Sequence, residues 1–395
     1  MVLALEGMRV LEITQVMSGP FCGLLLADLG ADVIKVEKPD GDDSRRMAPP
    51  TIQGESAAFM AINRNKRGLG LNLKTDEGRE VFRQLAATSD VLLENFRPGT
   101  MQDFGLGYSD LSSRDPALIY CSISGFGQTG PYSKRGGFDL VAQAMSGLMS
   151  ITGHEDQPPV KVGVPIADLN AGFYACYAIL AAYIHRLKTG EGQYIDTSLL
   201  EAGLAYTFWE SSIYFATGVS PPPMGSAHRL SAPYQAVRAA DGYLALGAAN
   251  QRAWEQLCAV IGRRDLLSDA RFVSNATRTR HQRELAGILE AVFATRPVAE
   301  WLADLERAGV PAGPVYNMEQ VYQDPQVQAR DMVVDLEHPT AGLTKMLGLP
   351  VKLSRTPGQI RRPAPTLGQH TDEILRELGL SAESILVLRE RQVVF

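Results

Sequence analysis

The chain has 395 residues, 45% of them apolar and 21% charged, with 38 basic residues against 44 acidic ones and a net charge of -6. That length exceeds what one hydrophobic core usually serves and predicts two domains, while the ordinary composition excludes disorder, collagen-like repeats and a disulfide scaffold. The mild acidity argues against nucleic acid or a membrane surface as partner, so any anionic ligand must be met by local clusters of cations.

In chain order, Met8 to Ile13 predicts a short strand, Thr14 to Pro20 a glycine-containing loop, Phe21 to Leu29 a helix stopped by Gly30, and Asp32 to Glu37 a second strand. That is a βαβ unit opening a parallel sheet. A helix from Thr75 to Thr88 and strands at Val91 to Glu94 and Ala117 to Ser124 continue the alternation, which specifies a doubly wound, Rossmann-like α/β sheet. A long helix from Asp168 to Lys188, a turn at Gly190-Glu191-Gly192, a strand from Gln193 to Thr197 and a helix from Leu199 to Ala216 complete a large domain over residues 1–217. Residues 218–232 read as a Gly/Ser/Pro-rich linker. Residues 233–320 read as a smaller α+β domain, with paired strands from Pro233 to Gly247 around Ala240-Asp241-Gly242 and helices at Gln251 to Ile261, Arg280 to Phe293 and Val298 to Ala308. Residues 321–395 return to the large domain through an extended Pro/Gly/Arg-rich stretch, Gly348 to Gly368, and a last helix at Thr371 to Leu378.

Cys22, Cys121, Cys176 and Cys258 lie far apart in apolar or helical runs, which reads as reduced, buried thiols of a cytoplasmic protein. No secretory signal opens the chain, and the longest apolar run, Gly172 to Ile184, is shorter than the roughly 20 residues a membrane helix needs. The six histidines are scattered without ligand spacing, so no metal is expected.

Gly125-Phe126-Gly127-Gln128-Thr129-Gly130 matches GxGxxG after a predicted strand, but Pro131 to Gly137 follows where a phosphate-binding helix would have to begin. These glycines predict a tightly turned loop. Serine-nucleophile chemistry lacks its GxSxG elbow. Basic residues gather on loops of the first domain: Lys35, Lys38, Arg45-Arg46, Asn63-Arg64-Asn65-Lys66-Arg67, Lys74 and Arg97. Loops after parallel strands form the ligand crevice of such sheets, so a polyphosphate there would meet several cations. Asp168 is a lone carboxylate at the mouth of an apolar helix. As an N-cap it would accept the amide of Asn170 or Ala171, and helix amides would keep it ionised, as a nucleophilic carboxylate must be; capping and chemistry both stand as readings.

These residues together resemble the class III CoA-transferase family, which includes formyl-CoA transferase, carnitine CoA-transferase and alpha-methylacyl-CoA racemase. The resemblance is carried in order by Gly7 to Glu12, Ser18-Gly19-Pro20, Leu29 to Glu37, Asn63 to Arg67, Glu94-Asn95-Phe96-Arg97-Pro98-Gly99, Ser124 to Pro131 and Leu367-Gly368-Gln369-His370-Thr371. It implies an interlocked homodimer and Asp168 as the nucleophile, which attacks a donor thioester to give an anhydride and then an aspartyl-CoA thioester. It implies CoA or acyl-CoA as substrate, with no tightly bound cofactor. CoA contacts carry over onto Val16, Met17, Lys38, Leu71, Asn72, Leu73, Lys74, Asn95, Phe96 and Arg97. Asp103 stands where the family has a cationic phosphate contact, which leaves that task to Arg97 or Lys38. A shielding loop in the small domain corresponds to Gly247-Ala248-Ala249-Asn250, which departs from the family's run of glycines.

The alternatives are a 2-methylacyl-CoA racemase or a non-catalytic CoA-binding protein. Racemases resembling this chain carry a histidine where Arg135-Gly136-Gly137-Phe138-Asp139 has Phe138, and phenylalanine moves no proton. Asp139 either orients the acceptor or forms a structural hydrogen bond. Tyr120 to Gly125, Gly225 to His228 and Pro233 to Ala236 most resemble succinate-hydroxymethylglutarate-type dicarboxylate CoA-transferases. On that resemblance His228 or Arg229 binds the distal carboxylate of a diacid, beside the reading of a surface His-Arg pair on a linker.

Overall fold

Five short runs of the first 124 residues are buried along nearly their whole length, as strands of a parallel sheet covered on both faces must be. They are Arg9–Ile13 (β1), Asp32–Glu37 (β2), Arg67–Gly70 (β3), Val91–Glu94 (β4) and Ile119–Ser124 (β5), joined by Tyr194–Ser198 (β6). The computed structural model describes residues 2–395. All six strands are parallel, in the order β3-β2-β1-β4-β5-β6. The order reverses between β1 and β4, and the loops after those two strands flank the crevice where doubly wound sheets take their ligands.

Apolar layers cover both faces. On one lie Leu11, Ile34, Phe82, Leu85 and Tyr120 with the helix Asp76–Ala87 (α2). On the other lie Cys22, Leu26, Val33, Ala171, Ala175 and Ile179, from Ser18–Asp28 (α1), β2 and Ile166–Thr189 (α4). The short helix Asp139–Met145 (α3) precedes α4 and Leu199–Leu204 (α5) follows β6. Helix α1 starts at Ser18 and not at Phe21, because Ser18-Gly19-Pro20 form its first turn, where a proline removes no needed hydrogen bond. The predicted helix from Leu199 to Ala216 is interrupted by a 3-10 turn at Ala205–Thr207.

The chain divides into two compact units, one made of Met1–Leu148, Lys161–Ala216 and Gln326–Phe395, the other of Met149–Val160 and Thr217–Pro325. The second unit has a three-stranded antiparallel sheet of Tyr234–Arg238 (β7), Tyr243–Gly247 (β8) and Ala312–Pro314 (β9), with β8 central. Against it pack Gln251–Val260 (α6), Gln282–Phe293 (α7) and Val298–Arg307 (α8), around Trp254, Leu257, Phe272, Phe293 and Trp301. The helix expected from Arg280 starts at Gln282, after a separate short helix, Asn275–Arg280. In the first unit the chain's last part adds a hairpin, Val333–His338 (β10) with Gly342–Leu347 (β11), and two helices, Thr371–Glu377 (α9) and Ala382–Glu390 (α10).

Candidate active site

Asp168 is the third residue of α4, and Pro165 holds the N-cap position. Its carboxylate accepts no hydrogen bond from any described residue. The cap expected of it is supplied by another carboxylate. Asp139 Oδ1 accepts the amide of Ala167 at 2.9 Å and that of Asp168 at 3.4 Å, while Oδ2 accepts from Gln143 Nε2 at 2.6 Å. Gln143 is fully buried, and its Oε1 accepts the Val162 amide at 2.9 Å, so α3 fixes the start of α4 at two points. Asp139 thus makes the structural hydrogen bond, and the N-cap reading of Asp168 is corrected.

The charge state expected of Asp168 is corrected with it. Burial, reinforced by the neighbouring charge of Asp139, pushes its carboxyl from an ordinary 3.8 up to about 7. Desolvation outweighs the helix dipole here because the side chain gains no amide partner of its own.

One turn along the same face, a Cβ on Gly172 would lie 2.5 Å from the carbonyl oxygen of Ser18. Glycine therefore lets α4 close onto the start of α1 and directs the Asp168 face over that helix N-terminus. Met17, at the N-cap of α1, offers no side-chain cap, which leaves first-turn amides without a side-chain partner. The preceding loop is strained: Val16, a β-branched residue, sits at φ 67°. It is held there by Val16 N donating to Asp42 Oδ1 at 3.1 Å, and by Asn95, which accepts from Gln15 N and donates to Gln15 O, both at 2.8 Å. Asn95 and Val16 thus brace each side of the sheet's switch point.

Beside them a cavity of about 420 Å³ is lined by Ile13, Val36, Leu71, Leu73, Phe96 and Phe104, with Lys38, Asn72 and Lys74 also on its wall. Of the proposed CoA contacts, Lys38, Leu71 to Lys74 and Phe96 therefore meet around one space, whereas Val16, Met17, Asn95 and Arg97 do not line it. Arg97 is exposed, and its guanidinium lies 3.2 Å from where a Cβ on Gly136 would be.

Most of the basic cluster is not available to a phosphate. Lys35 and Lys66 are fully buried: Lys35 Nζ is 2.8 Å from Asp42 and 3.3 Å from Glu12, and Lys66 Nζ is 2.8 Å from Glu12. Arg45 pairs with Glu37, Arg64 with Asp28, and Arg67 with Asp32, Glu373 and Glu377. The expectation that these side chains await a ligand is corrected: they neutralise carboxylates inside the fold. Lys38, paired with Asp43 near the surface, and exposed Lys74 remain at the crevice. Buried Glu94, at the end of β4, accepts the Phe96 amide at 2.8 Å, and burial pushes its carboxyl up to about 7.

The GxGxxG stretch is a loop after β5. Gly127 and Gly130 have φ 89° and 84°, and a Cβ on Gly125 would stand 2.7 Å from Gly137 Cα. This backbone contact places the segment that carries Phe138, which is 73% exposed, and Asp139.

His228, Arg229 and Gly247 to Ala249 belong to the second unit. His228 Nδ1 accepts the Leu230 amide at 3.1 Å, and Arg229 Nη2 donates to Pro222 O at 2.6 Å. Gly247 ends β8, buried Ala248 donates to Pro233 O at 2.8 Å, and Asn250 caps α6, so the stretch expected as a loop is a strand end and a helix cap. Spacing alone gave no sign of Gln143, Gly172 or Asp42. Among the described residues no group of His, Cys, Asp and Glu has the arrangement of a metal site.

The family model of CoA-transferase family III matches residues 5–371. Succinyl-CoA:glutarate CoA-transferase of Mus musculus is 41% identical over 95% of this chain and 86% of its own length. Succinate--glutarate CoA-transferase of Agrobacterium fabrum is 42% identical over 95% of both chains. The crystal structure of a CAIB/BAIF family protein from Brucella suis superposes with a TM-score of 0.86 at 39% identity, covering 96% of this chain and 100% of that one. The chain belongs to CoA-transferase family III.

Proposed function

We propose that the chain moves CoA between a donor such as succinyl-CoA and a short dicarboxylic acid, with Asp168 as the residue that carries the transferred groups. The observation that carries this reading is a half-buried carboxylate at the head of α4, fixed through its own backbone amide yet without a hydrogen bond on its oxygens. The names of the relatives supply the class of acid.

The atoms balance without water or a redox partner. An Asp168 oxygen attacks the donor thioester carbon and expels CoA thiolate, leaving a mixed anhydride. The thiolate attacks the Asp168 carbonyl carbon and releases the donor's carboxylate, leaving an aspartyl-CoA thioester. The acceptor carboxylate repeats the first step, the thiolate is expelled and then attacks the acceptor's acyl carbon, and Asp168 is free again. Each addition places negative charge on a carbonyl oxygen, and the first turn of α1, onto which α4 closes at Gly172, offers amides without a side-chain partner to that charge. The cavity between the β1, β2, β3 and β4 loops is of the size small-ligand sites have and would receive the nucleotide end of CoA, with Lys38 and Lys74 at its phosphates. CoA is here a substrate; no resident cofactor enters the scheme.

We assign CoA binding to the first compact unit, which holds most of residues 1–217 and 321–395; the small domain expected at 233–320 and the linker at 218–232 both fall in the second unit, together with Met149–Val160. The active form is a homodimer, which is supported by Phe173, Tyr177, Leu187, Phe208, Trp209 and Phe215, all more than half exposed on α4 and the segment after α5. Four buried free cysteines fit a reducing cytoplasm. The reaction is tested by incubation with succinyl-CoA, quenching with hydroxylamine and mass spectrometry. A hydroxamate on Asp168 is expected, and CoA exchange that survives in Asp168→Ala would overturn the mechanism.

A further inference from the structure

The second unit contains a cavity of about 760 Å³ that none of the steps above uses. It opens beside the first turn of α7, where Gln282, Arg283 and Ala286 line it, opposite Gln235 of β7. Gln235 occupies a core position of its strand, sharing a face with fully buried Val237, and is itself only 8% exposed. Its amide makes no hydrogen bond with any described residue and lines the cavity. A ligand oxygen there would take the place of solvent at this amide.

The surroundings favour an anion as that ligand. Helix α7 has 12 residues, and His281 at its N-cap makes no side-chain cap bond, because its Nδ1 is engaged with Glu284 at 2.8 Å. The first turn of α7 thus has no side-chain cap, and Gln282 and Arg283 of that turn line the cavity. Arg229 lines the same space. Two carboxylates also reach it. Glu155 is neutralised by its pairing with Arg283. Glu290 stands eight residues beyond Gln282, about 12 Å further along the helix at 1.5 Å per residue, and so at the other end of the cavity.

We infer that this cavity binds a small organic acid, its carboxylate received by the Gln235 amide, the first-turn amides of α7 and the Arg229 guanidinium. The site is independent of the chemistry at Asp168, so it is tested in the full-length Asp168→Ala protein, where no turnover occurs. Calorimetric titration with glutarate is expected to give saturable binding, and glutaramide, the neutral analogue of the same shape, none. Gln235→Leu, which removes the amide, and Gln235→Glu, which opposes the ligand with charge, should each weaken glutarate by about tenfold or more, the size of a lost charge-assisted hydrogen bond. Thermal unfolding and CoA binding unchanged in these variants establish that the fold is intact; if either variant fails to fold, Arg229→Gln carries the same expectation. Equal binding of glutaramide, or glutarate affinity unchanged within about twofold in the folded variants, would overturn the inference.

Discussion

Replacing Asp168 by asparagine should abolish transfer and make the protein more stable, with a gain that depends on pH. The carboxyl rises from an ordinary 3.8 to about 7 on folding, and one pH unit corresponds to about 1.4 kcal/mol, so ionised Asp168 opposes folding by at most about 4 kcal/mol well above pH 7. The side chain is only partly buried, and solvent screening brings a realistic figure to about 2 kcal/mol. The sign follows from proton counting. Between the unfolded and folded values the native state binds the extra proton, so wild-type stability is intact below about pH 4 and is lost as pH rises through 7. Asparagine is neutral throughout and escapes the loss. Urea or thermal unfolding of both proteins should therefore coincide near pH 4 and separate near pH 8, where the variant melts about 3 °C higher. A gap of the same size at both pH values, or a less stable variant near pH 8, would refute the reasoning.

The acid limb of kcat/KM should fall near pH 7, where Asp168 loses its proton, and Asp139→Asn should move that limb lower, since the new amide oxygen still accepts from Ala167 but carries no charge. A limb that stays in place would assign the titration to Glu94, which also sits at about 7. Gly125→Ala would push a Cβ to 2.7 Å from Gly137 Cα and displace Asp139 two residues on; kcat should fall with CoA affinity kept, and steady-state kinetics with unchanged kcat would contradict this. Lys66→Met leaves buried Glu12 with Lys35 as its one cation and the Thr14 hydroxyl as its other donor, and urea denaturation should show a loss of about 3–5 kcal/mol. Trp209→Asp, on the exposed aromatic surface, should convert dimer to monomer in size-exclusion light scattering; an unaltered mass would remove that surface from the interface.

The sheet was legible where strands announce themselves by apolar runs, as in β1, β2, β4 and β5. Strand β3 was not, because Arg67-Gly68-Leu69-Gly70 holds one apolar side chain and owes its place to ion pairs and to close packing. Arg67 binds Asp32, Glu373 and Glu377, and a Cβ on Gly70 would come 2.4 Å from the Phe395 ring. The same non-local pairing misled the reading of the basic cluster. Nothing near Lys35 or Lys66 in sequence reveals that Glu12 and Asp42 await them inside. Asp168 itself was legible as a lone carboxylate on an apolar helix. Its partner was not, since Asp139 reaches α4 across 28 residues of chain, and only the fold decides which carboxylate caps and which is left free.

That division of labour bears on the chemistry. Protonation relieves Asp168 of two burdens, the loss of water around its charge and the repulsion from Asp139, and the rise to about 7 measures that relief. Acylation does the same, because an anhydride or a thioester at Asp168 is as neutral as the acid. The free energy that raises the carboxyl's affinity for a proton therefore would also raise its affinity for an acyl group, and in the proposed scheme it acts on every covalent intermediate. A carboxylate capping its own helix would gain amide hydrogen bonds in the ionised state and surrender them on acylation, which would set the ground state below the intermediates. By giving the cap to Asp139, the fold keeps Asp168 positioned by its backbone amide while its oxygens have no bond to lose.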